Sequence, residues 1–559
     1  MIGPLRTPLV TLPNVSSKSN WSINFGNHID KALQWNPSPP ELESSPTFSP
    51  PEFAMLGHHH AHDRRRFVRN TLAAAAGGAS ALAWLPKLTA DDVAVTPDRV
   101  LFNPEIEPLV RLLETTPRDR IVDRVFSEIH AGRSYQDLLA ALLLAGIRNV
   151  QPRPAVGFKF HSVLVVHSAH QASLAAANEH RWTPLLWSID YFKRAQQSDV
   201  EEGDWTMAAA PTGDLPDQAK ALGALDEAMA NWDIEAADAA ATVVARTATA
   251  GQILNLLAKH AARDYRSIGH KSIYLANAFR TLDVIGWQHA EPVVRSLCYA
   301  ILNHTGDPNP AKSDLEVDRV GRSNWKRVDQ LSSNWFATKR KPVESATLAK
   351  ALRTASPEEA SQTVVELVNS GTDPDSIYDG VMLAAAELVA RQASIVPLHA
   401  VTTSNAMRHL YRSVYDDRTR QWLLLQNAAF ISHFRQSAQS RGNLASADLL
   451  SLEGAPAGDV SLDGLFAQIG ANPEAAAAST FTLAQQNDSA QALIARAREM
   501  VFLKGNDAHD YKFSSAALED YEQIAPQWRA HYLAGCSHLL HGDKAPTTSL
   551  AKRVLQQDV

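Results

Sequence analysis

GQILNLLAKHAARDYRSIGHKSIYLANAFRTL, residues 251–282, decides the fold. Its first half places Ile253, Leu254, Leu257 and Ala261 three and four positions apart, the repeat of one helix face. Ala and Leu, both strong helix formers, fill the rest. The short stretch RDYRSIG breaks the pattern, and His270 then opens a second helical run. The same order recurs downstream. YDGVMLAAAELVARQASIVPL (378–398) leads to His399 in HAVTTSNAMRHL, and AQALIARAREMVFLKGNDA (490–508) leads to His509 in HDYKFSSAAL. Leu254 to His270 is 16 positions, Met382 to His399 is 17 and Leu493 to His509 is 16. A fourth copy, YQDLLAALLLAGIRN (135–149) followed by His161, fits with a longer break.

Nearly every other segment after residue 100 also reads at helical period. The sequence therefore predicts an all-α fold of helical-hairpin repeats packed around a central metal site. Hairpins arranged about one axis turn equivalent positions toward the same centre. His161, His270, His399 and His509 would then converge as nitrogen ligands, a set that suits iron, copper, nickel or zinc. Lys512 follows His509 by three residues and shares its helix face. An ammonium becomes a ligand only by losing its proton or by combining with carbon dioxide as a carbamate, and desolvation beside a cation lowers a lysine pKa in that direction.

Outward from the repeats, composition narrows the classes. The chain is 45% hydrophobic and 20% charged, with a net charge of −7 and no basic block, so it carries no footprint for nucleic acid. Two cysteines, Cys298 and Cys536, exclude a Cys-based metal site or a disulfide framework, leaving two buried thiols or a single bridge. Residues 1–54 are Pro- and Ser-rich and read as disordered, an over-extended start ahead of Met55. DRRRFVRNTLAAAAGGASALAW (63–84) carries Arg64 and Arg65 before a mildly apolar run, and 55–90 reads as a twin-arginine signal. The expected route is therefore export by the twin-arginine (Tat) machinery to the periplasm, with no integral membrane segment in the mature chain. Residues 91–130 read as an N-terminal linker and helix, and 131–559 as an all-helical metal-binding catalytic domain.

GHKSIYLANAFRTLDVIGW (269–287), PLHAVTTSNAMRHLY (397–411) and DAHDYKFSSAALE (507–519) resemble the three later histidine motifs of the questin oxidase-like family. FKFHSVLVVHSAH (158–170) resembles its first motif, with Phe160 where Asn is usual. The resemblance runs from about residue 135 to 545 and is carried by short motifs in order. It implies an all-helical, non-heme iron oxygenase that opens aromatic or quinone-like rings with dioxygen, held by four histidines and a carboxylated lysine. Carried onto this sequence, the ligands are His161, His270, His399, His509 and Lys512, with His167 and His170 as alternates to His161. Arg280 and Thr402 match motif positions and would orient a ligand or a substrate oxygen. Two other readings remain: a non-enzymatic exported helical-repeat scaffold, and a metal-dependent hydrolase built on a carbamylated lysine.

Overall fold

The computed structural model describes residues 99–152, 157–302, 308–336 and 339–557. The twin-arginine pattern and the segment preceding it lie outside the described residues. Among the described residues the chain is all α, with no strand. Among the described residues no helix is long and apolar enough to cross a membrane. Cys298 and Cys536 are buried free thiols, and burial pushes both thiols up in pKa.

The four hairpins form as helix pairs. Tyr135–Asn149 precedes Gly157–Leu164, Ala250–Ala261 precedes His270–Ile285, Pro374–Arg391 precedes Ile395–Ser413, and Asn487–Lys504 precedes Ala508–Gln523. The starts of the leading helices follow local capping chemistry. Ser134 accepts from the Asp137 N–H, Thr249 and Gln252 form a reciprocal capping box, and Asp373 caps a helix whose first residue is Pro374. The apolar faces then bury: Leu138, Leu142, Leu257 and Leu493 are all at most 1% exposed. Each such leucine contributes about 1.5–3 kcal/mol of transfer free energy.

One expectation needs correction at the level of elements. Histidine does not open the following helix in every repeat. His399 lies in the second turn of Ile395–Ser413, because Pro397 fits the first turn of a helix, where its missing N–H costs nothing, and so SIVPL joins the helix instead of the break. His161 sits inside an eight-residue helix that ends one residue before a second helix, Val166–Ala175. Residues before 131 pack into the same body as those after it. The helix Glu107–Thr115 packs on Tyr135–Asn149, and the fully buried Arg148 ties them through Glu107 at 2.8 Å and Glu114 at 2.7 Å. Burying a guanidinium is costly unless it is paired, and here two carboxylates pair it.

The central arrangement is a ring of four helices. His270–Ile285 packs on Ile395–Ser413, which packs on Ala508–Gln523, which packs on Val166–Ala175, which returns to His270–Ile285. The helices of His270, His399 and His509 run in the same direction. Their histidine rings meet at one end, and further along Arg280 bonds Asn405 at 3.1 Å and Glu519 at 2.9 Å.

Candidate metal centre

His270 is the first residue of its helix, and the turn before it is tight. Ile268 at φ 42° and Gly269 at φ 84° both occupy the left-handed region, which costs a branched residue energy and a glycine almost none. A Cβ on Gly269 would stand 1.8 Å from Thr403 Oγ1 on the neighbouring helix. Glycine is what lets the His270 and His399 helices approach this closely.

On His399, Nδ1 lies 2.7 Å from the Ile395 carbonyl oxygen. A carbonyl only accepts, so Nδ1 carries the proton and Nε2 keeps its lone pair. His509 reaches the same tautomer with a different partner. Asp507 is the N-cap of its helix, and Asp507 Oδ1 accepts from the His509 backbone N–H at 2.8 Å and from its ring Nδ1 at 2.5 Å. Burial opposes ionisation of Asp507, yet the bonds from His509 hold its carboxyl down at about 2. A carboxylate behind a ligating imidazole fixes its orientation and raises its basicity.

The structure brings the four histidines together. His161 Nε2 is 3.1 Å from His270 Nε2, and His399 Nε2 is 2.9 Å from the same atom. One ring nitrogen from each of the four lies within 4.8 Å of the others. Two nitrogens each about 2.1 Å from one ion stand about 3.0 Å apart at right angles and about 3.4 Å apart in a tetrahedron. The two spacings to His270 are near the right-angle value, while the set as a whole reaches 4.8 Å. His161, His270 and His399 are buried, whereas His509 keeps 22% of its side chain exposed.

Charge is arranged to keep the imidazoles neutral, the ligating form. Burial depresses His161 most, followed by the charges of Lys512 and the other three histidines. Burial likewise leads for His399, followed by His270, and for His509, followed by Lys512. The His270 and His509 helices start at the centre, and the positive ends of their dipoles further disfavour an added proton.

Lys512 points its amine into the same region. Its Nζ is buried with no hydrogen-bond partner among the described residues. Burial brings the ammonium down to about 7, with Asp507 pulling the other way. The side chain lines a small inner pocket together with Thr402, Asn405, Asn277 and Arg280.

The remaining candidates fall into place around that pocket. Thr402 lines it, and its hydroxyl stands 3.5 Å from the His399 carbonyl, at the limit of a hydrogen bond. Arg280 lies nearly three turns beyond His270, about 15 Å along the helix axis. Its guanidinium bonds Asn405 and Glu519, so it shapes the pocket and holds none of the four imidazoles. His167 and His170 are not part of the four-histidine group. His170 Nδ1 lies 3.2 Å from the Tyr135 hydroxyl, and the His167 ring is 6.2 Å from that of His170.

Sequence reasoning passed over Asp507, Asn405 and Glu519. Asp507 was findable, since Asp507 and Asp510 stand at capping-box spacing just before a helical run. Asn405 and Glu519 carry no such local signal, because their roles arise only from the packing of three helices. Comparison of the chain with family models, with curated proteins and with solved structures finds no match.

Proposed function

We propose that the protein is a non-heme iron oxygenase of the questin oxidase-like type, exported by the twin-arginine route and acting on an aromatic or quinone-like ring. One observation carries this reading: four imidazoles from four separate hairpins converge beside a buried lysine amine that has no hydrogen-bond partner among the described residues. His161, His270, His399 and His509 would hold the iron. Nitrogen donors of this kind suit iron, and the Lys512 amine beside them would add a fifth donor. Bound iron would supply the redox chemistry with dioxygen that opens an electron-rich ring.

The chain's own contribution is placement and charge. Asp507 and the Ile395 carbonyl fix two imidazoles in the ligating tautomer before any ion arrives. With its pKa brought down to about 7, Lys512 offers a neutral amine at neutral pH. That amine can add to carbon dioxide, with the nitrogen forming the new bond and one proton leaving to solvent. The product would be an anionic carbamate, which would add one negative oxygen donor to four neutral nitrogens. Helix N-termini at the centre favour that negative charge. Thr402 and Asn405 would orient a substrate oxygen in the inner pocket.

Metal analysis of the purified full chain tests the reading. We expect about one iron per chain, since a site of this donor number binds one ion. His399→Ala should lose it, and Lys512→Ala should lose most and regain part on addition of acetate. Metal-free wild-type protein that stays metal-free after incubation with iron, with unchanged folding, would favour the scaffold reading instead.

A further inference from the structure

The inner pocket at Lys512 is not closed off from the surface. Ser168 and Ser515 line it, and the same two serines line a neighbouring cleft of about 390 Å³ that opens between Val166–Ala175, Asn487–Lys504 and Ala508–Gln523. Pockets that enclose small organic ligands run from roughly 300 to 1,000 Å³, so the cleft has the size of a ligand site. Ala172, Val501 and Leu518 give it apolar walls, and Tyr511, stacked on Trp187 at 4.0 Å between ring centroids, adds an aromatic one.

Three charged side chains line the cleft, and two of them are already neutralised. Glu519 takes the Arg280 guanidinium at 2.9 Å and accepts from Asn405 at 3.1 Å. Glu522 pairs with Arg529 at 3.8 Å. The half-buried Arg498 is different: among the described residues no ion pair or hydrogen bond holds it, and the charge that acts on it is the more distant Glu522. A half-buried guanidinium facing an apolar cleft without a close partner is an incomplete ion pair, and the anion that completes a planar, two-pronged donor best is a carboxylate.

We infer that the cleft binds an aryl carboxylate, with the carboxylate on Arg498, the ring system against Tyr511, Val501 and Leu518, and the far edge of the ring directed past Ser168 and Ser515 toward Lys512. Arg498 is then the residue that selects for acidic substrates and sets their orientation. This rests on the reading of the metal centre as the place where the ligand reacts, but binding in the cleft needs no metal.

Calorimetric titration of the full chain, with and without iron, tests it using naphthoate and its neutral analogue naphthamide. Naphthoate should bind wild type, and Arg498→Met, which keeps the apolar stem and removes the charge, should weaken it roughly tenfold or more. Arg498→Lys should recover part of the loss, and naphthamide should bind wild type and Arg498→Met alike. Equal naphthoate affinity in wild type and Arg498→Met, or no naphthoate binding to wild type, overturns the assignment. Wild-type protein that binds naphthoate through Arg498 but takes up no iron would count against the oxygenase reading alone.

Discussion

Lys512 shows how much a single buried group can imply. An amine enclosed without a hydrogen-bond partner costs about 1–3 kcal/mol, which a metal ion or a carbamate would offset. Lys512→Met keeps the length of the side chain and removes the polar head. In metal-free protein this variant should melt at a higher temperature than wild type, while taking up less iron under the same loading. A lower melting temperature in the metal-free state would mean that Nζ has a stabilising role the geometry does not reveal. Asp520 behaves in a related way. Burial, helped by neighbouring Glu519, lifts its carboxyl to about 7 despite bonds from Asn405 and Tyr532. In the unfolded chain it titrates near the usual carboxylate value of about 4, so between those limits the folded state holds a proton that the unfolded state has released. Its contribution to stability is full below about pH 4 and is lost as pH rises toward about 7. Asp520→Asn should therefore gain in melting temperature relative to wild type across that window. A difference that stays constant with pH would refute the shift.

At the scale of elements, the turn before His270 is the point where two ligand helices are pinned together. Gly269→Ala places a methyl against Thr403 and forces a left-handed backbone on alanine, which together should cost roughly 2–5 kcal/mol. Thermal unfolding of the metal-free variant measures this, and a loss within error of zero would mean that the turn relaxes freely. The helices themselves were legible from spacing: Leu254, Leu257 and Ala261 mark a buried face without reference to anything distant. Their ends were less so. Pro397 reads as a break in sequence but sits in a first turn, and the interruption between Leu164 and Val166 has no Gly or Pro to announce it. The network of Arg280, Asn405 and Glu519 was invisible for a different reason. Its members are 114 to 239 residues apart, and only the packing of three helices makes them neighbours.

For the whole molecule, the convergence of His161, His270, His399 and His509 was expected from recurrence alone, and the assembled rings bear it out. What recurrence does not supply is the cleft beside them, since Arg498 and Tyr511 occupy positions with no counterpart argued in the other hairpins. The tie between Arg148 and its two carboxylates likewise draws residues before 131 into the same body. One imidazole per hairpin has a consequence for biosynthesis. His161 and His509 stand 348 positions apart, so the four rings can meet only after His509 has been synthesised. Capture of an ion by the four-histidine set would then report that the last hairpin has closed, and a chain cut short before His509 would lack that set.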